Sequence, residues 1–217
     1  MFFLYNGING NYPERKKEVF SMSRQELKAR AKEQIKGNIG VLFVITLIVA
    51  VVAGLANVVP VVGFLASVFV ITPAFTIAMV IIYLKMTDGI KPEIAELFQH
   101  FNKFWGAFKV TFLTGLFTAL WSLLFVIPGI IKSFSYAMAM YILAENPEMP
   151  ALEAIDKSKA MMDGHKMELF VLGLSFIGWF LLVGVTFGIA AIWVVPYMNA
   201  TMANFYNSIK PQVEVVD

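Results

Sequence analysis

From Gly37 to Leu84 the chain carries no Asp, Glu, Lys, Arg or His, and from Leu169 to Ile209 again none. A third stretch, from Val110 to Ala144, contains only Lys132. Apolar runs of this length are far longer than a core helix needs. About 20 residues of helix cross the hydrocarbon of a bilayer, so each run has room for two crossings. The chain therefore reads as all-α, a polytopic transmembrane helical bundle. Six spans fit, at about 39–57, 63–84, 107–127, 129–144, 167–184 and 187–208, paired as three hairpins. The reversals fall at Asn57-Val58-Val59-Pro60, at Ile127-Pro128-Gly129 and around Gly184 to Gly188. Proline and glycine in those places break a helix and let the chain turn back. The fourth span is the shortest, about 16 residues or roughly 24 Å at 1.5 Å per residue.

Composition agrees with a membrane protein and narrows its chemistry. Hydrophobic residues make up 59% of the chain and charged ones 15%, against roughly 25% charged in soluble domains. There is no cysteine, which excludes disulfides, thiolate metal sites and cysteine nucleophiles. The first residues lack a basic region, an apolar stretch and a small-residue cleavage site, so no cleavable signal is expected. Of the 17 Lys and Arg residues only Lys132 lies near a hairpin tip, and all 15 acidic residues fall before, between or after the hairpins. Short loops rich in Lys and Arg stay cytoplasmic. Both termini and both long connectors are therefore expected on the cytoplasmic side of a bacterial cell membrane. Three small apolar tips would face out.

The connectors match each other at an offset of 58 residues: Tyr83 with Tyr141, Pro92 with Pro150, Ile94 with Leu152, Leu97 with Ile155 and Gly106 with Gly164. Ser23 stands 14 residues before Gly37, as Pro92 and Pro150 stand before their glycines. Pro73 and Tyr83 are ten apart, as are Pro196 and Tyr206. The chain thus reads as three repeats, about 23–84, 92–144 and 150–208, within a single membrane domain, 22–210. Each repeat would be a helix of about 14 residues, a glycine and a transmembrane hairpin. Repeats of one orientation are related by an axis along the membrane normal, which predicts that the second, fourth and sixth spans share a centre. Ser23 and Glu26 have capping-box spacing. Pro92 and Pro150 suit a first helical position, with Glu93 and Glu153 at the positive end of the dipole.

The connector helices are the candidate functional surface. The first carries Arg24, Lys28, Arg30, Lys32 and Lys36, with Leu27 and Ile35 apolar. The second sets Ile94, Leu97, Phe98, Phe101 and Trp105 on one stripe at helical spacing. The third sets Ala151, Leu152, Ile155 and Met162 on another. Amphipathic helices flanking spans lie in the interface plane, where they cover the inner ends of the bundle or form a basic collar for lipid or a partner. Arg24, Lys28, Arg30, Lys32, Lys36, Phe98, Phe101 and Trp105 are the collar residues. Anionic headgroups suffice as the target of these cations, so membrane lipids, and another membrane or cytoplasmic protein, are the expected partners. Nucleic acid is not.

Ionisable groups within a bilayer mark proton relays and ion paths, and the spans offer only Lys132, which can snorkel to the outer interface. Polarity inside the spans is amide and hydroxyl, and such groups usually bond between helices for about 0.6 kcal/mol each. Asn199, Thr201 and Asn204 are the candidates for lining a path for a neutral or amphipathic solute. His100 and His165 lack a second histidine at ligand spacing. There is no P-loop, Rossmann glycine pattern or nucleophile elbow. A non-catalytic protein without cofactor or metal is expected.

Residues 1–21 have no consistent period, and 211–217 read as a cytoplasmic tail. Lys17-Glu18-Val19 can be encoded by a purine-rich run resembling a bacterial ribosome-binding sequence, at ordinary spacing before Met22. Met22 is therefore the expected initiator, the alternative being a disordered tail.

Several segments carry a family resemblance: Glu26-Leu27-Lys28 through Lys36-Gly37-Asn38, Ile127-Pro128-Gly129-Ile130-Ile131-Lys132, Tyr141-Ile142-Leu143-Ala144-Glu145-Asn146-Pro147, Ser175-Phe176-Ile177-Gly178-Trp179 and Pro196-Tyr197. Over about residues 22–210 the chain resembles the bacterial integral membrane proteins catalogued as domain of unknown function 975. That resemblance implies a distant similarity to the membrane domain attached to some glycerophosphodiester phosphodiesterases. It implies no active residues.

Overall fold

A computed structural model of the protein describes residues 22–210. The segments 1–21 and 211–217, and with them the question of a start at Met22, lie outside the described residues. Every regular element among the described residues is helical. Helix α1 (Arg24–Ile35) opens with the expected capping box. The Ser23 N–H donates to Glu26 Oε2 at 2.8 Å, and the Glu26 N–H donates to Ser23 Oγ at 3.3 Å. Bonding to Ser23 holds the Glu26 carboxyl below the usual carboxylate range. The sign follows from linkage: a carboxyl with a lowered folded-state value stabilises above its unfolded value and loses that contribution as pH falls through the folded one. Protection of the first-turn amides of α1, relative to their intrinsic exchange rate at each pH, should therefore fall below about pH 4. In Ser23→Ala it should already be low at neutral pH and change less on acidification.

After Lys36 the chain turns through Gly37 at φ +83°, a left-handed conformation that glycine adopts without a Cβ clash. It then enters α2 (Ile39–Ala56). The first hairpin returns through α3 (Pro60–Ala66) and α4 (Thr72–Thr87). Between them, Ser67–Ile71 is a π-helix whose last bond runs from the Thr72 N–H to the Ser67 carbonyl. Pro73 explains the widened turn, because it has no N–H to offer and its ring presses on the preceding turn.

The middle connector departs from the expected helix of about 14 residues. It comprises a single turn, α5 (Glu96–Gln99), a 3₁₀ turn (Phe101–Lys103) and then α6 (Phe104–Leu124). Leu97 alone of its expected stripe is buried. Gly106 is not a turn residue like Gly37 and Gly164, which share φ +83°. It lies inside α6, where an added Cβ would come 3.2 Å from the Leu143 side chain. The same glycine position thus serves close packing in one connector and a left-handed turn in the others.

The second reversal is at Phe125, extended at φ −156°, and not at Ile127-Pro128-Gly129. Pro128 sits in the first turn of α7 (Val126–Tyr136), where its missing N–H has no partner to lose. With α8 (Ala139–Glu145) this makes a stretch of 20 residues, so the fourth span is longer than expected. The break between α7 and α8 is stitched by Ser158 of α9 (Ala151–Met161). Its hydroxyl accepts from the Met138 N–H at 3.1 Å and donates to the Ser135 carbonyl at 2.8 Å. On α9, Ala151, Ala154, Ile155 and Ser158 are buried, whereas Leu152, placed on the apolar stripe from sequence, is exposed.

The third hairpin consists of α10 (Lys166–Leu174), α11 (Ile177–Val185) and α12 (Ala191–Ile209), with a break at Ser175-Phe176. Five stretches are long and apolar enough to cross a membrane: Ile39–Ala56, Val61–Thr87, Glu96–Leu124, Val126–Glu145 and Lys166–Val185. The sixth expected span, α12, is 19 residues long but falls outside that set. Its amides and tyrosines make it less apolar, and the bundle buries many of them. A helix surrounded by protein need not match lipid on every face.

Helices α4 and α12 carry much of the core, and the C-terminal ends of α4, α8 and α12 meet. Tyr83, Tyr141 and Tyr206 are all buried there. The Tyr141 and Tyr206 rings stack at 5.3 Å between centroids. The Tyr206 hydroxyl donates to Glu145 Oε2 at 2.8 Å, Lys210 pairs with Glu145, and Asn207 Nδ2 donates to Thr87 Oγ1 at 2.7 Å.

Candidate functional site

The basic helix is docked on the bundle, with Lys28 half-buried and Arg24, Arg30, Lys32 and Lys36 exposed. Helix α1 lies along α12, with Leu27 and Ala31 buried. Gln34 and Asn204 lock the two helices by exchanging amides: Gln34 Nε2 donates to Asn204 Oδ1 at 3.2 Å, and Asn204 Nδ2 donates to Gln34 Oε1 at 2.6 Å. Six residues toward the start of α1, Lys28 reaches the break between α10 and α11. Its ammonium donates to the Ser175 carbonyl at 3.1 Å and sits 4.5 Å from the Phe176 ring centroid. A carbonyl at a helix break lacks its helical N–H partner, and a lysine supplies one. Lys32 lies 5.8 Å from the centroid of Tyr197, whose ring also meets Phe176 and Trp179 edge-on. Cations over aromatic faces gain about 0.5–2 kcal/mol each.

These contacts do not neutralise the cations, which share the helix with Glu26 and Glu33. Among the described residues no ion pair involves Arg24, Lys28, Arg30, Lys32 or Lys36. Burial, and then the neighbouring charges of Lys32 and Arg24, hold the Lys28 ammonium below the usual lysine range. An anion at this position would relieve that repulsion. Beside the cations runs a groove of about 460 Å³ between the start of α1 and α10. Its walls are largely apolar, formed by Leu27, Met167, Val171, Leu172 and Phe205, with Arg24 and Glu168 as its charged side chains. Glu168 Oε2 is already engaged with His165 Nδ1 at 3.0 Å.

The aromatic half of the expected collar is placed elsewhere. Phe98 and Phe101 stack on each other and meet Phe75 of α4 edge-on, while Trp105 packs on Phe104 and Phe108. All three candidates are exposed. They belong to the α4–α6 side of the bundle, whereas the basic helix belongs to α12. Lys85 and Glu96 form a further pair there at 2.7 Å.

Of the three residues considered for a solute path, two are committed to the protein's own bonds. The Thr201 hydroxyl donates to the Tyr197 carbonyl at 2.7 Å, and Asn204 bonds Gln34 and the Ala200 carbonyl. Asn199 is half-buried beside the Tyr83 hydroxyl, which lacks a hydrogen-bond partner of good geometry. Lys132 lies over the Trp121 ring at 4.8 Å. Among the described residues no group of His, Asp and Glu could hold a metal ion. Sequence reading missed Gln34, Ser175 and Phe176 as partners of the basic helix. The mixture of Gln34 with lysines on one short helix, in a chain whose last helix holds three amides, was the available clue.

The chain belongs to the family described as protein of unknown function (DUF975), whose model matches residues 22–132 and 123–212. No curated protein and no solved structure matches it.

Proposed function

We propose that this member of the DUF975 family is a non-catalytic membrane protein that holds anionic lipid against its basic N-terminal helix. The observation that carries the reading is that α1 and its C-cap Lys36 bear five cations without an ion pair among the described residues, yet α1 is fixed on α12 by Gln34 and Asn204. A solvated basic tail would need no such docking. In this reading both ends of the chain face the cytoplasm of a bacterial cell. There the anionic leaflet attracts each nearby Lys or Arg by about 1 kcal/mol. The charge distribution along the chain supports that orientation. The meeting of α4, α8 and α12 supports a threefold repeat of hairpins around them. A role for α1 in docking another membrane or cytoplasmic protein is the competing outcome. A neutral-solute path is less favoured, because Thr201 and Asn204 are already bonded.

Thermal unfolding in phosphatidylglycerol and in phosphatidylcholine bilayers tests the proposal. The native chain should unfold several degrees higher in phosphatidylglycerol. Replacing Arg24, Lys28, Arg30, Lys32 and Lys36 with Gln should remove the difference. Equal midpoints for the native chain in the two lipids would rule the reading out.

A further inference from the structure

We propose that the groove between α1 and α10 is a site for one phospholipid, its phosphate on Arg24 and one acyl chain along Leu27, Val171, Leu172 and Phe205. This rests on the lipid-holding role of α1 and gives that role a defined seat. Two chemistries meet in the groove, and a phospholipid needs both. The trough is apolar along Met167, Val171 and Leu172 on α10 and along Leu27 and Phe205 across from it. Its volume, about 460 Å³, is that of a small-molecule site. Arg24 stands in its wall with no acidic partner among the described residues. A guanidinium presents paired N–H donors that match two phosphate oxygens.

The surroundings select among headgroups. Arg24 is the cation in the groove wall, and Lys28 follows it one turn further along α1. Glu168, the single acid in the wall, is turned to His165. The local balance favours an anionic headgroup over a zwitterionic one. Position agrees, since α10 begins at Lys166 and runs into the apolar stretch Lys166–Val185. The start of the groove therefore lies where a span leaves the headgroup region. A free phosphate ion would use Arg24 but leave the apolar trough wet.

The test places a photo-crosslinking amino acid at Met167, an exposed groove residue, in the full chain. The protein is reconstituted in vesicles of equal parts phosphatidylglycerol and phosphatidylcholine, and adducts are read by intact mass. Phosphatidylglycerol adducts should predominate, and Arg24→Ala should lower them about tenfold, the loss expected for one charge-assisted contact. Lys91→Ala, an exposed cation between α4 and α5, should leave them unchanged. Equal adducts from both lipids, unaltered in Arg24→Ala, would mean ordinary boundary lipid and would overturn the site. Adducts with residues before Met22, with a second copy or with another protein would overturn it as well. The lipid dependence of thermal unfolding stands apart from this result. A chain stabilised by phosphatidylglycerol but without selective adducts would keep the general role and lose the groove.

Discussion

Gly63→Ala should lower stability in detergent by about 3 kcal/mol or more, while Gly54→Ala should be close to neutral. A methyl group built on Gly63 falls on the carbonyl oxygen of Ala56, at the tip of the first hairpin, and 3.2 Å from the Asn57 Cα. Both obstacles are backbone, so no rotamer change relieves them. Overpacking typically costs 1–3 kcal/mol when side chains can yield, and a backbone obstacle puts this case at or above that range. Gly54 has open space where its methyl would go. Gly129→Ala provides an internal comparison at the second tip, where the methyl meets the Ser122 side chain and lies 2.9 Å from Ser122 Cα. The damage there should be smaller, and Ser122→Gly should restore part of it. Thermal unfolding of the four variants decides the matter. Equal midpoints for Gly63→Ala and Gly54→Ala would show that the tip is not closely packed.

The second large effect concerns the amide lock. Asn204→Leu should release α1 from the bundle, with a cost of about 1–3 kcal/mol for the half-buried Gln34 amide left unpaired. Trypsin should then cut after Lys28, Arg30 and Lys32 under conditions where the native chain resists. Replacing Gln34 and Asn204 together with Leu should recover much of the loss. Removing both partners leaves no orphaned polar group and can be nearly neutral. Were Asn204 instead the lining of a solute path, the single variant would stay folded, keep α1 protected and lose flux. Protease resistance equal to that of the native chain would therefore sink the packing account.

Much of this architecture was legible because charge is so costly in hydrocarbon. The runs without ionisable residues located the hairpins, and the Ser23–Glu26 spacing located the start of α1. The errors have physical causes. Ile127-Pro128-Gly129 suggests a reversal because proline usually ends helices, but in a first turn it costs no hydrogen bond. Apolar spacing after Pro92 suggests one helix, and spacing does not reveal a 3₁₀ step. The polar residues of α12 looked like candidates for a path because periodicity cannot say what lies opposite. Gln34, 170 residues away in sequence, satisfies Asn204. The Ser175 carbonyl that holds Lys28 was equally invisible, because a break inside an apolar span leaves little trace in composition.

That separation of 170 residues between Gln34 and Asn204 also bears on the order of assembly. At 5–20 residues per second of synthesis, α1 waits roughly 10–30 s before the helix that receives it has been made. During that interval its lysines and arginines have no aromatic rings or carbonyl to rest on. They stay undocked while the hairpins form behind them. The first helix of the described bundle is then the last to settle, and its docking closes the bundle only once α12 is in place.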